Sequence, residues 1–164
     1  MCAIVDVNVV SELWEGGGTA AGQAFRKAVE QGRVPLVLGG TLSDELSGAG
    51  ESMRRWLAEL QLAGRLVQVD GEQVARRTSE LNQVNVDGTA QCSSDDEHVI
   101  ALALVSGARL LYTNDAALTD DFKDKTLVDA PRGRVYTTRA SGDLRGSHRA
   151  LLRRTDLCSR GAAS

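Results

Sequence analysis

Ser94-Asp-Asp-Glu-His-Val-Ile-Ala-Leu-Ala-Leu-Val-Ser-Gly-Ala-Arg-Leu-Leu-Tyr-Thr-Asn-Asp115 carries a helix, a stop, a strand and an acid in one continuous run. Val99, Ile100, Ala103 and Leu104 form one broad apolar face, which predicts an amphipathic helix. Ser94-Asp-Asp-Glu97 has the capping-box pattern of a helix start. Gly107 is the expected stop. Arg109 to Thr113 reads as the strand that follows, and Asp115 stands just past its end. A helix feeding a short apolar strand is the repeating unit of a parallel sheet.

The same alternation extends in both directions. Residues 2–7 are mostly apolar, as suits a strand buried on both faces. Gly16-Gly-Gly18 breaks the chain after a short helical stretch. Residues 19–31 carry Phe25, Ala28 and Val29 at helical spacing, with Gly32 as the stop. Val34 to Leu38 is a second strand, with Pro35 near its start, where proline is tolerated. A short helix opens at Thr41, and residues 51–63 place Met53, Trp56, Leu57 and Leu60 on one face. Arg65 to Val69 is a weaker strand, expected at a sheet edge. Residues 72–84 place Val74, Thr78, Leu81 and Val84 on one stripe, and residues 85–93 read as a loop. A short helix over 116–124 and a last strand over Gly133 to Thr137 complete the pattern. The order predicts an α/β fold, a mainly parallel central sheet sandwiched between layers of helices.

Four acids fall at turning points of this pattern. Asp6 ends the first apolar run, Glu45 follows the second, Asp96 opens the periodic helix, and Asp115 follows the strand after it. In an open parallel sheet, ligands bind at the carboxyl ends of the strands. Carboxylates gathered there repel one another, and a divalent cation with oxygen ligands is the usual remedy. Mixed Asp and Glu without a His or Cys set suits Mg²⁺ or Mn²⁺ better than zinc. Each acid alone could merely complement a helix dipole; the conjunction is the argument. Asp6, Glu45, Asp96 and Asp115 are the candidate metal ligands. Asp95 is expected to point outward or flank the cleft, Asp120-Asp121 to form a solvated helix face from which Asp121 beside Phe122 could still reach the site, and Asp44 is a nearby acid that competes with Glu45 for the assignment. Asn8, Thr113, Asn114 and Asp121 are expected to support the site or meet substrate.

Composition limits the alternatives. A chain of 164 residues suits one domain. No apolar run reaches the roughly 18 residues of a membrane span, and Met1 to Asp6 reads as a strand rather than a leader. Cys2, Cys92 and Cys158 are widely spaced, with no C-x-x-C, so neither structural zinc nor a disulfide is expected, and a reduced, cytoplasmic setting fits. Residues 131–164 hold eight arginines against two aspartates, a local charge of +6, which leaves −9 on residues 1–130. A basic segment on an acidic body suggests an anionic partner. Arg132, Arg134, Arg139, Arg145 and Arg149 are the candidate phosphate contacts. A haloacid-dehalogenase-type phosphotransferase would need a second acid where Asp6-Val-Asn8 has asparagine. The acid pair and mid-strand aspartate of a response-regulator receiver are not evident either.

The acid-bearing segments resemble the PIN-domain ribonucleases. The likeness lies in Asp6-Val-Asn-Val9, Leu42-Ser-Asp-Glu-Leu46, Asp96-Glu-His-Val-Ile-Ala-Leu-Ala103 with Ser106-Gly-Ala108, and Thr113-Asn-Asp115, and covers about residues 1–137. It implies a three-layer α/β/α sandwich and a Mg²⁺- or Mn²⁺-dependent endoribonuclease. It implies Asp6, Glu45, Asp96 and Asp115 as catalytic acids, with Asp6, Asp96 and Asp115 as direct metal ligands and Glu45 binding a second ion or acting through water, and single-stranded RNA as substrate. Many bacterial members are similar to VapC-like toxins, so an antitoxin protein and a homodimer are expected partners. The chain departs from such toxins in its length, in Asn114 where many carry a basic residue, and in an Arg-rich extension over 138–164, read either as flexible or, from Leu144, Leu151, Leu152 and Leu157, as packing on the body or a partner with a helical turn or two over 151–157. A PIN-fold protein that binds RNA or protein without catalysis is the alternative.

Overall fold

The computed structural model describes residues 2–86 and 92–157, without the side chains of 84–86. Of the expected loop over 85–93, residues 87–91 lie outside the described residues, as do the Val84 side chain and the chain from Cys158, while residues 85 and 86 belong to a helix instead. Five strands form one sheet: β1 (Ala3–Val5), β2 (Leu36–Gly39), β3 (Leu66–Val69), β4 (Leu110–Tyr112) and β5 (Arg134–Tyr136). Their order is β3-β2-β1-β4-β5, and every pair is parallel. Ala3 lies opposite both Leu36 and Leu110, and Leu110 lies opposite Arg134. The strands therefore start level and end level. The α/β architecture expected from the alternation of elements is present, with β3 at an edge.

Helices flank the sheet. A 3₁₀ helix (Val7–Leu13) and α1 (Ala20–Glu30) link β1 to β2. Next come α2 (Gly40–Ser47) and α3 (Glu51–Leu62), then α4 (Gly71–Val86) and α5 (Glu97–Ser106), then α6 (Ala116–Lys123) and α7 (Gly146–Arg153). Thr19 caps α1, accepting a 2.9 Å hydrogen bond from the Gly22 amide. Gly107 ends α5 in the left-handed region (φ 77°), which glycine enters without a Cβ clash. Val99 to Ala103 are five consecutive buried residues, so α5 is apolar around its circumference. The reason is its placement: α5 packs on α4, α2 and the β2 and β3 strands together.

The core is aliphatic at the sheet and aromatic at one flank. Ala3, Ile4 and Val5 are fully buried, as are Leu110, Leu111 and Tyr112. Burying each large aliphatic contributes about 1.5–3 kcal/mol. Phe25 of α1 meets Tyr112 and Tyr136 at centroid distances of 5.0 and 5.3 Å, and Tyr136 meets His148 of α7 at 4.7 Å. Such pairs add about 0.5–1.5 kcal/mol beyond area.

Two expectations change, and residues 138–157, read either as flexible or as packed on the body, are packed. Leu152 and Leu157 are buried, His148 Nε2 bonds the Thr137 carbonyl at 2.7 Å, and the Leu157 carbonyl accepts the Arg109 amide at 3.1 Å. The apolar faces of α7 cover the aromatic flank. Cys2 is disulfide-bonded, against the expectation of none, while Cys92 is free and Cys158 lies outside the described residues. The return of the chain to the start of β1, where the Leu157 carbonyl also meets the Cys2 amide, is a long-range contact that spacing cannot reveal. The cysteine argument for a reducing compartment falls with it. Finally, Ser94 does not close a capping box. Asp96 is the N-cap of α5, and the Ser94 hydroxyl bonds Asp121 instead.

Candidate active site

β1 is the strand at which the order reverses: the chain runs from it toward β2 and β3, then returns to its other side as β4 and β5. A crevice opens at the carboxyl ends of strands at such a point. Asp6 leaves the end of β1, and Thr113-Asn114-Asp115 leaves the end of β4. Gly39 and Gly40 leave β2 and turn directly into α2, which carries Glu45 in its second turn. Gly40 has φ 57°, and a Cβ there would come within 3.0 Å of Val74. Glycine thus permits the tight turn from β2 that carries α2 over the crevice.

Asp6 is only 6% exposed. Burial pushes its carboxyl above the ordinary range; the Thr113 hydroxyl and the amides of Asn8 and Val7 oppose this, and the Glu45 charge adds to it. Burial likewise raises Asp96, and the charges of Asp6, Asp115 and Glu45 raise it further, while His98 acts the other way. The four acids thus share one electrostatic neighbourhood. At an effective dielectric constant of about 20, two unit charges about 6 Å apart repel by about 3 kcal/mol. None of the groups that principally shift these two carboxyls is a Lys or Arg. Asp95 and Asp120 are exposed, as expected, and so is Asp44, whereas Asp121, expected on the same solvated face as Asp120, is buried.

Each acid is held differently. Thr113 Oγ1 donates to Asp6 Oδ2 at 2.6 Å. Asp115 is the N-cap of α6, and its Oδ1 accepts the Leu118 amide at 2.6 Å, which leaves Oδ2 available. His98 Nε2 lies 3.1 Å from Glu45 Oε2 and ties α5 to α2. Asp121, expected as a support or substrate residue, is buried and accepts from the amides and hydroxyls of both Ser93 and Ser94 at 2.7–2.9 Å. Both its oxygens are occupied twice, so it is a clamp on the segment that delivers Asp96. Nearby, burial, followed by the Asp121 and Glu97 charges, pushes the Cys92 thiol up to about 11.

Among the described residues, no three His, Cys, Asp or Glu groups already stand in the geometry of a metal cage. The donor chemistry nonetheless suits a hard cation: carboxylate oxygens, a buried acid, and charges that raise the Asp6 and Asp96 carboxyls.

The arginines divide between the two ends of the sheet. Arg134 opens β5, its amide bonding the Arg109 carbonyl at 2.8 Å, and Arg132 Nε donates to the Lys123 carbonyl. Both therefore lie toward the amino ends of the strands, away from the acids. Arg139 and Arg145 follow the carboxyl end of β5, and Arg149 lies on α7. Arg109 is buried and spends its guanidinium on the carbonyls of Ala103, Ala108, Asp129 and Pro131.

Two site residues escape the sequence reading. His98 follows Asp96 closely, but a lone histidine on a helix is a weak signal. Glu12 stands four residues after Asn8, and both contact Asn114; that spacing is the available sequence signal. Comparison of the chain with family models, curated proteins and solved structures gives no match.

Proposed function

We propose that the protein is a divalent-metal-dependent nuclease of PIN type acting on single-stranded RNA. One observation carries the reading: Asp6, Glu45, Asp96 and Asp115 come from four segments around the strand-order reversal, and the charges of Asp6, Asp115 and Glu45 add to burial in raising the Asp96 carboxyl. Asp6, Asp96 and Asp115 would hold Mg²⁺ or Mn²⁺, with Glu45 placed to assist. The ion supplies Lewis acidity and a bound water of lowered pKa. The chain's own groups orient the acids. Thr113 fixes one oxygen of Asp6, the Leu118 amide fixes one oxygen of Asp115, and His98 holds Glu45. Arg139 and Arg145 are the arginines best placed to take phosphates beside this cleft.

The test is cleavage of end-labelled single-stranded RNA with Mn²⁺, with Mg²⁺ and with chelator. Metal-dependent cleavage lost in Asp6→Asn is expected. Wild-type protein should also melt at higher temperature with Mn²⁺, since an ion that binds the folded state alone stabilises it. RNA binding without cleavage at any metal concentration would instead favour a non-catalytic RNA-binding role. An antitoxin partner and a homodimer belong to the same proposal and are read from co-purification with a neighbouring gene product and from sedimentation.

A further inference from the structure

We propose that Glu12 is the positioning residue that holds Thr113-Asn114-Asp115 in register with Asp6; the proposal rests on the metal-site reading above. Glu12 lies in the 3₁₀ helix after β1 and gathers four donors from three segments. Its Oε1 accepts the Asn114 side-chain amide at 2.8 Å. Its Oε2 accepts the Tyr112 and Thr138 hydroxyls, each at 2.5 Å, and the Thr19 hydroxyl at 3.4 Å. Asn114 is then held on its other side, its carbonyl oxygen accepting the Thr138 amide and the Thr137 hydroxyl, each at 2.9 Å. Its backbone amide donates to Asn8 Oδ1 at 3.3 Å, and Asn8 Nδ2 donates to Thr113 Oγ1 at 3.3 Å. Thr113 closes the chain on Asp6, and its oxygen accepts the Asp115 amide at 3.1 Å.

A continuous set of hydrogen bonds therefore runs from Glu12 to two of the proposed metal ligands. The carboxylate suits the task because it accepts without donating, so every hydroxyl and amide aimed at it is satisfied at once. Alanine removes the anchor. Glutamine keeps an oxygen for Asn114 but turns an amine toward Tyr112 and Thr138, so it preserves part of the set.

The experiment compares wild-type protein, Glu12→Ala, Glu12→Gln and Leu152→Ala. The last destabilises α7 without touching the set and controls for lost stability. Hydrogen exchange is read at the Asn114 and Asp115 amides, and Mn²⁺ affinity by calorimetry. Glu12→Ala should speed exchange at both amides and weaken Mn²⁺ binding by about 10- to 100-fold, as loss of a ligand-orienting group does. Glu12→Gln should fall between, and Leu152→Ala should keep wild-type affinity. Unchanged exchange in Glu12→Ala overturns the proposal. So does Mn²⁺ affinity within about twofold of wild type, against that expected loss. If wild-type protein binds no Mn²⁺, the metal-site reading fails by itself, and the exchange rates alone decide whether Glu12 positions the segment.

Discussion

Thr113 Oγ1 donates its proton to Asp6 because its two other hydrogen-bonding positions are taken by donors. The Asn8 side-chain amide and the Asp115 backbone amide both point at the oxygen, at 3.3 and 3.1 Å, so the hydroxyl proton goes to Asp6 Oδ2 at 2.6 Å. A side chain at the end of β4 thereby sets the orientation of an acid at the end of β1.

Thr113→Val tests that bond with little change of shape. It removes a hydrogen bond to a buried carboxylate, which contributes about 1.5–3 kcal/mol. Urea denaturation of metal-free protein should show a loss near that size. A loss below about 0.5 kcal/mol, the scatter of surface substitutions, would mean that the bond does not hold Asp6.

Asp121→Asn replaces an acceptor oxygen with a donor facing Ser93 or Ser94. The segment carrying Asp96 should loosen, and Mn²⁺ affinity should fall by about 10- to 100-fold. Calorimetry reads the change. Wild-type affinity would assign Asp121 to stability alone.

Metal-free protein should gain stability as pH falls from neutral. Asp6 and Asp96 have folded pKa values raised above 3.8, chiefly by burial, so the folded state binds their protons more tightly than the unfolded state. Their ionisation destabilises the fold at neutral pH. That penalty is relieved as pH drops through the raised values and is gone near 3.8. Asp124 and Asp156 shift the opposite way, Asp124 by bonding to Thr126 and Asp156 by bonding to Arg154, and they lose their contribution only below 3.8. Urea midpoints in chelator between pH 7 and 4.5 check the sign, and Asp6→Asn combined with Asp96→Asn should flatten the curve. A wild-type midpoint that falls steadily over that interval would contradict it.

The arginines should separate by end of the sheet. Replacing Arg139 and Arg145 with alanine in Asp6→Asn protein should reduce the salt dependence of single-stranded RNA binding by a slope of about 0.7 per lost phosphate contact. Replacing Arg132 and Arg134 should leave it unchanged. Equal effects from both pairs would mean that RNA does not follow the carboxylate end.

Periodicity and stops made the element order legible, because burial on a parallel sheet imposes local patterns on each strand and helix. Val99, Ile100 and Gly107 announce α5, and the apolar runs announce β1, β2 and β4. The four acids were legible as candidates because Asp6, Asp96 and Asp115 stand at element ends and Glu45 follows closely on the second strand. Their supports were not. Glu12 meets Tyr112 and Thr138, and Asp121 meets Ser93 and Ser94, across gaps that carry no local pattern. The disulfide of Cys2 was equally hidden. Local sequence determined which segments fold as helix or strand, since that depends on neighbours three or four positions away. Which side chain orients which acid was decided only when the level strand ends brought distant segments within hydrogen-bonding distance.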